Sequence, residues 1–168
     1  SLKNLNLNNF DTSSVTNMGS MFNGCSSLTN LDLNNFDTSS VTMMISMFDG
    51  CSSLANLNLS NFNTSKLYSL DNIFTNCSSL TNLNLSNFNT VNVSSMNAVF
   101  SGCTKLKTII VGGEWSTNNV LSSREMFRNC TSLVGEKGTI YDSNHTDVTY
   151  AHIDEGIENP GYLTASES

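Results

Sequence analysis

Hydrophobic and polar positions alternate in short stretches of this chain. Each stretch recurs every 26 residues, as from Cys25 to Cys51 and on to Cys77. In the unit 27–52, three leucines follow the L-x-x-L-x-L spacing of a leucine-rich-repeat strand. Side chains alternate along a strand, so we expect Leu31 and Leu33 to point inward and the polar residues between them to point outward. The same apolar pattern recurs as Leu2/Leu5/Leu7, Leu54/Leu57/Leu59, Leu80/Leu83/Leu85 and Leu106/Ile109/Val111.

The second half of each unit has the spacing of a helix. Val41, Met44, Phe48 and Cys51 are separated by three, four and three residues, which would place them on one helical face. The segment 37–40 (Asp-Thr-Ser-Ser) is rich in residues that cap helix N-termini, and Gly50 follows where a helix would end. Each unit is therefore predicted to be a strand, a capped turn, a short helix and a glycine turn.

A fixed period of this length indicates units that bury their apolar faces against one another. Parallel strands lie about 4.8 Å apart and helices are about 10 Å wide, so the helical side would be more spread. We predict an α/β fold: a right-handed leucine-rich-repeat solenoid with parallel strands on one face, short helices on the other and a C-terminal cap. Residues 1–131 would form five repeats, the fifth one position longer than the others, and 132–168 a non-repeat acidic cap.

The tail after residue 131 differs from the repeats in composition. It holds seven of the fourteen acidic residues against one basic residue, Lys137. We expect two short strands, at 139–141 and 148–153, an end to the structure at Pro160, and a tail that covers the outward-facing Ile110.

Composition excludes several partners. The net charge is −7 and only 12% of residues are charged, which argues against nucleic acid or an anionic membrane as a partner. No stretch approaches the roughly 20 apolar residues that span a bilayer, so we expect no membrane insertion of this fragment. Ser1-Leu2 aligns with the start of later repeats, which favours a piece of a longer protein. We expect that protein to be exported and this fragment to be a monomer.

The run 47–54 (Met-Phe-Asp-Gly-Cys-Ser-Ser-Leu), followed by Leu57-Asn58-Leu59, resembles the BspA-like leucine-rich repeats of bacterial surface proteins, in their 26-residue branch. The resemblance extends over residues 1–131, and the segment 138–162 is similar to the one that often closes such arrays. It implies a secreted or wall-attached bacterial protein associated with adhesion or host contact. It implies no catalytic residue and no cofactor.

The five cysteines have two main interpretations. Cys25, Cys51, Cys77 and Cys103 are one period apart, and Cys130 lies one position beyond the next period. An exported protein could oxidise them to disulfides, but helix-side neighbours about 10 Å apart could not be bridged. Core packing as small apolar residues is the favoured alternative. The sequence has no C-x-x-C pair, which would suggest a metal site.

The candidate interaction surface is the outward side of the strands. It could bind an unknown protein or glycoprotein, or its stacked amides could simply bond along the array; the latter is favoured because binding hot spots prefer Trp, Tyr and Arg. Two aromatic residues where the repeat is irregular extend the candidate set, which reads Asn4, Asn30, Asn56, Asn82, Asn6, Asp32, Asn58, Asn84, Tyr68 and Trp115.

Other constellations are weaker. The column Thr12/Thr38/Thr64/Thr90/Thr117 could bind ice, but helix capping explains it better. Asp142, Asn144 and Asp147 could hold calcium, although turns use the same residue types. No nucleophile lies beside a base, so we expect no enzyme, cofactor or metal. The function indicated is a bacterial cell-surface adhesion or protein-interaction module, and the alternative is a passive structural stalk.

Overall fold

The computed structural model describes residues 3–167, so Leu2 of the first leucine triplet lies outside the described part. The elements in chain order are β1 (Asn4–Leu5), β2 (Asn30–Leu31), β3 (Asn82–Leu85), β4 (Thr108–Val111), one 3-10 helix (Val148–Tyr150) and β5 (Thr164–Ala165). Every pairing between strands is parallel: β1 with β2, and β3 with β4 and β4 with β5. Partners in the repeats are one period apart, as in Asn4 opposite Asn30 and Asn82 opposite Thr108. The repeats are thus a stack of coils, each one period long.

The predicted strand side is confirmed in its inward and outward positions. Leu31 and Leu33 are buried, while Asn30, Asp32 and Asn34 are exposed. The alternation holds even in the third repeat, where the described structure assigns no strand although Leu57 and Leu59 are buried. Burial of leucines on one face is therefore maintained where regular strand pairing is not.

The predicted helices are wrong. The described residues contain no α-helix, and the segments that would have formed them are successions of tight turns. Alternate amides donate to the next coil, as from Met18 to Met43 and from Phe22 to Met47, both at 2.9 Å. The amides between them close local turns, as from Asn23 to the carbonyl of Ser20 at 3.1 Å.

The spacing between coils explains why no helix forms. Backbone hydrogen bonds join neighbouring coils on the turn side as well as on the strand side. A helix about 10 Å wide would hold the coils too far apart for these bonds. The α/β leucine-rich-repeat solenoid with helices on one face is therefore corrected to coils with short parallel strands on one side and turns on the other. The expected wider spacing on the helical side has no basis either.

The core consists of columns that run along the stack. Adjacent phenylalanine rings lie nearly parallel, with centroids 5.5–5.8 Å apart, in the order Phe22, Phe48, Phe74, Phe100 and Phe127. Val41, Met44 and Cys51, which were assigned to a helical face, are fully buried as well. The apolar positions were therefore identified correctly, although the backbone that carries them is not helical.

Two polar columns bond one coil to the next. The Thr38 hydroxyl donates to the carbonyl of Asn63 at 3.1 Å and accepts from the amide of the same residue at 2.7 Å. Thr12, Thr64 and Thr90 make the same reciprocal pair. The Asn61 amide group donates to the carbonyls of Leu33 and Phe36 in the preceding coil. These four threonines are thus buried clamps between coils, not helix caps, whereas Thr117 is half-buried and makes no such pair with another described residue.

The tail closes the far end of the stack. Tyr162 is fully buried and meets Phe127 edge-on, with the centroids 5.1 Å apart and an interplanar angle of 80°. β5 pairs with β4 so that Thr164 lies opposite Ile110, but Ile110 is only half-buried, so the predicted cover by the tail is partial. The two predicted tail strands are wrong: the first is a single bridge from Ile140 to Val134, and the second contains the 3-10 helix. The structure also continues past Pro160 into β5.

Asp154 is the buried centre of the tail. Its carboxylate accepts hydrogen bonds from the amides of Lys137 and Thr139, at 2.7 and 3.0 Å, and from the Thr139 hydroxyl at 2.7 Å. The amides of Gly156 and Gly161 donate to the same carboxylate. Burial raises the pKa of Asp154, but these donors together lower it well below its usual range. One ionised side chain therefore holds three segments of the tail together.

Candidate interaction surface

The outward side of the strands forms a shallow groove of about 550 Å³. Its lining comes from four consecutive coils, with amide side chains over most of its length and Ile110 at the end nearest the tail. Six of the predicted surface residues line it: Asn30, Asp32, Asn56, Asn58, Asn82 and Asn84. Asn4 and Asn6 lie in the same two columns on the first coil and are exposed.

In the second of the two columns, the side-chain oxygens already accept hydrogen bonds within their own coil. The side-chain oxygens of Asp32, Asn58 and Asn84 each accept a hydrogen bond from the backbone amide two residues later, at 3.0–3.1 Å. These bonds shape the turn at which each strand ends. The amide nitrogen of Asn84 makes no hydrogen bond to another described residue, so it remains a free donor.

Few of the exposed amides bond to each other along the stack. Asn58 donates to the side-chain oxygen of Asn34 at 3.2 Å, and Asn30 donates to that of Asn4 at 3.5 Å. Asn56 has no side-chain hydrogen bond to another described residue. Self-pairing of the columns, the favoured alternative at the sequence level, is therefore incomplete, and the groove has free donors and acceptors.

The two predicted aromatic residues do not belong to the groove. Tyr68 is 45% exposed and lies where its carbonyl accepts the amide of Ser94 on the turn side. Trp115 is half-buried, and its indole N–H donates to the carbonyl of Ala151 at 3.1 Å. Trp115 thus attaches the tail to the last repeat, and only the amide columns form a shared surface.

The cysteines form a column of free thiols: four are buried, as the core interpretation predicts, and Cys25 is partly exposed. Each of the last four donates to a phenylalanine carbonyl in the preceding coil, as Cys51 does to Phe22 at 3.2 Å. Burial raises the pKa of the Cys51 thiol to about 12, so it stays protonated and can donate. Because no helix separates the coils within residues 3–167, the width of a helix does not keep the cysteines apart.

The calcium candidates are used in turns. Asp142 accepts from the amide of Asn144 at 2.9 Å, and Asp147 accepts from the amide and hydroxyl of Thr149. Within residues 3–167, no three His, Cys, Asp or Glu side chains are grouped as a metal site would require. In the same range no helix is long and apolar enough to cross a membrane.

Sequence reasoning missed two features. The asparagines whose side chains donate to backbone carbonyls of the preceding coil recur one period apart as Asn35, Asn61 and Asn87, and this column is visible in the sequence. The second feature is a cleft of about 770 Å³ in the tail, built from segments around Ile140, Tyr150 and Ile157. No periodic signal marks it, because the tail has no repeat.

The chain is a repeat protein with a periodic surface. Its stacked coils are joined by hydrogen bonds on both sides, and they form an open polar groove. The sequence matches a family model described as "Mycoplasma protein of unknown function, DUF285", over residues 1–111 and again over 54–154. These matches cover most of the chain, which therefore belongs to this family. No curated protein and no solved structure matches the chain.

Proposed function

We propose that this chain is a bacterial cell-surface module for adhesion or protein interaction, which binds a protein or glycoprotein through the amide groove. The observation that carries the proposal is the groove itself, whose amides from consecutive coils face solvent in register. The resemblance of the repeats to BspA-like surface proteins supports an extracellular location, and membership of a family described for Mycoplasma supports a bacterial source.

The chemistry of the groove favours a neutral, polar ligand. Asparagine side chains donate and accept hydrogen bonds, so they suit peptide groups and sugar hydroxyls equally. Within residues 3–131 the seven acidic residues nearly balance six basic ones, so long-range electrostatic attraction is weak. Binding would then depend on many simultaneous hydrogen bonds along the stack, with Ile110 giving apolar contact at one end.

A passive stalk is the second candidate. Hydrogen bonds between coils on both sides, together with the threonine clamps, make the stack resistant to bending. A stalk needs such stiffness and needs no ligand. The two functions differ in whether the groove has a binding partner.

Binding of the purified protein to mucin, extracellular matrix proteins and epithelial cells separates them. We expect saturable binding at micromolar concentration, weakened roughly tenfold in Asn56→Ala/Asn82→Ala, since central contacts contribute most of the binding energy. Asn23→Ala/Asn118→Ala is the matched control, because both asparagines are exposed and lie outside the groove. No saturable binding, or an equal loss in the control, would contradict the proposal and favour the stalk.

A further inference from the structure

The cleft in the tail runs beside an unpaired backbone edge. Val134 and Ile140 face each other in an antiparallel bridge. The bonds of this bridge are made by their neighbours: Gly135 donates to Thr139 at 2.8 Å, and Tyr141 donates to Leu133 at 3.1 Å. In such a pair, the amide and carbonyl of the two facing residues point away from each other.

The outward backbone groups of the two residues differ in what they meet. The Val134 amide donates to the carbonyl of Lys107 in the last repeat at 3.0 Å. The Ile140 amide and carbonyl bond to no other residue in the described part of the chain. A free amide and carbonyl on an extended segment can pair with another extended chain.

The cleft lies along this same edge. Residues 137–143 line one wall, and Tyr150, Ile157 and Pro160 line the other. The side chains of Ile140 and Ile157 are 72% and 94% exposed, the second the most exposed large apolar residue among those described. A strand paired with Ile140 would place alternate side chains over these apolar groups.

The negative charge of the tail indicates what kind of extended segment could pair with the edge at Ile140. The tail carries six of the seven net negative charges of the chain, and its single lysine, Lys137, is paired with Glu136 at 3.5 Å. Asp142 lines the cleft, while Glu155 and Glu158 flank the segment that carries Ile157. A basic partner would meet a surface of opposite charge.

We propose that this cleft docks an extended peptide segment of another protein, with basic residues alternating with aliphatic ones, which pairs with the edge at Ile140. The aliphatic side chains cover Ile140 and Ile157, and the basic ones meet the acidic rim. This site is separate from the amide groove, so the two can be tested independently.

The test uses labelled heptapeptides with the intact protein. Peptides alternating Lys with Val, Leu, Ile or Phe are compared with the same peptides carrying Glu for Lys, and with Lys peptides N-methylated at the central aliphatic residues. We expect saturable binding of at least one Lys peptide, weakened by added salt, and loss of binding for its Glu and N-methylated forms. Hydrogen exchange at the Ile140 amide should slow when the Lys peptide binds.

A matched pair of variants locates the site. Ile157→Ser should weaken binding about tenfold, because it removes apolar contact without disturbing buried residues. Leu121→Ser should leave it unchanged, since Leu121 is 90% exposed on the repeats and outside the cleft. Equal binding of Lys and Glu peptides, full binding of the N-methylated form, equal losses in the two variants, or no saturable binding of any peptide would each overturn the proposal.

Discussion

At the scale of the residue, the buried threonines join neighbouring coils, a role that their sequence context does not indicate. A threonine beside serines and aspartate is typical of a helix cap, yet Thr38 and Thr64 are 1% exposed and bond to the next coil through both lone pair and proton. A hydroxyl can both donate and accept, so one side chain satisfies the amide and the carbonyl of a single backbone residue.

Replacing Thr64 by valine should therefore lower the free energy of unfolding by about 2 kcal/mol, because the partly buried amide of Asn89 loses its acceptor. Thr64→Ser keeps the hydroxyl and should lose clearly less. Urea unfolding of the two variants measures the difference. A valine variant that loses no more than the serine variant would show that the hydroxyl clamp is not the main contribution at this position.

Thiol reactivity gives a second prediction at this scale. Cys25 is partly exposed, whereas the other four cysteines are buried, and burial raises the pKa of Cys51 and of Cys130 to about 12. Only the thiolate is reactive. We expect a thiol reagent to modify at most Cys25 in the folded protein and all five after unfolding without reductant. Fewer than five in the unfolded protein would show that disulfides form.

At the scale of the element, the turn side shows why a correct apolar pattern gave a wrong backbone. Five equivalent positions, occupied by Ser20, Ser46, Asn72, Ala98 and Glu125, have φ values of 52–57°. Residues with such left-handed backbone angles are usually glycine, but none of these five is a glycine. The three-four-three spacing fits these turns as well as a helix, so the sequence pattern could not distinguish them.

Ala98→Gly tests the difference in sign. In a helix, this change would destabilise by about 1 kcal/mol; at φ 52° it should stabilise by up to about 1 kcal/mol, because glycine adopts this conformation without the steric cost that alanine has. Thermal or urea unfolding measures the sign. A destabilised variant would contradict the left-handed turn.

Other elements could be predicted to different extents. The inward positions of the strands were predictable, because a period of two in Leu31 and Leu33 has one structural meaning when a face is buried. The outward amide columns followed from the same reasoning. The tail cleft could not be predicted, since its walls come from residues near 140 and 157, which are distant in sequence and are joined through the bonds to Asp154.

At the scale of the whole molecule, the tail and the stack depend on different physics. The repeats are joined mainly by backbone hydrogen bonds and apolar columns, whereas the tail is organised around the ionised Asp154. Because the folded-state pKa of this carboxyl is lowered, its contribution to stability is present above the unfolded-state value, about 3.9. That contribution is lost as pH falls from there through the lower folded-state pKa.

Asp154→Asn should lower the free energy of unfolding at pH 7 by about 3 kcal/mol, since the new amide cannot accept from all the donors. The gap between the two proteins should narrow below about pH 4, where the native carboxyl begins to lose its advantage. Urea unfolding at pH 7 and pH 3 measures it. A gap that is independent of pH would indicate that the charge is unimportant.

The edge-on contact of Tyr162 with Phe127 has one more consequence. Interior coils meet through nearly identical ring contacts, so whole units can be gained or lost by duplication and deletion without a new interface having to evolve. Tyr162 and β5 pack against the last coil, through the contact with Phe127 and the pairing with β4. No further repeat can therefore stack on that face. The number of repeats can therefore change in steps of one while the contact between the last coil and the tail stays the same.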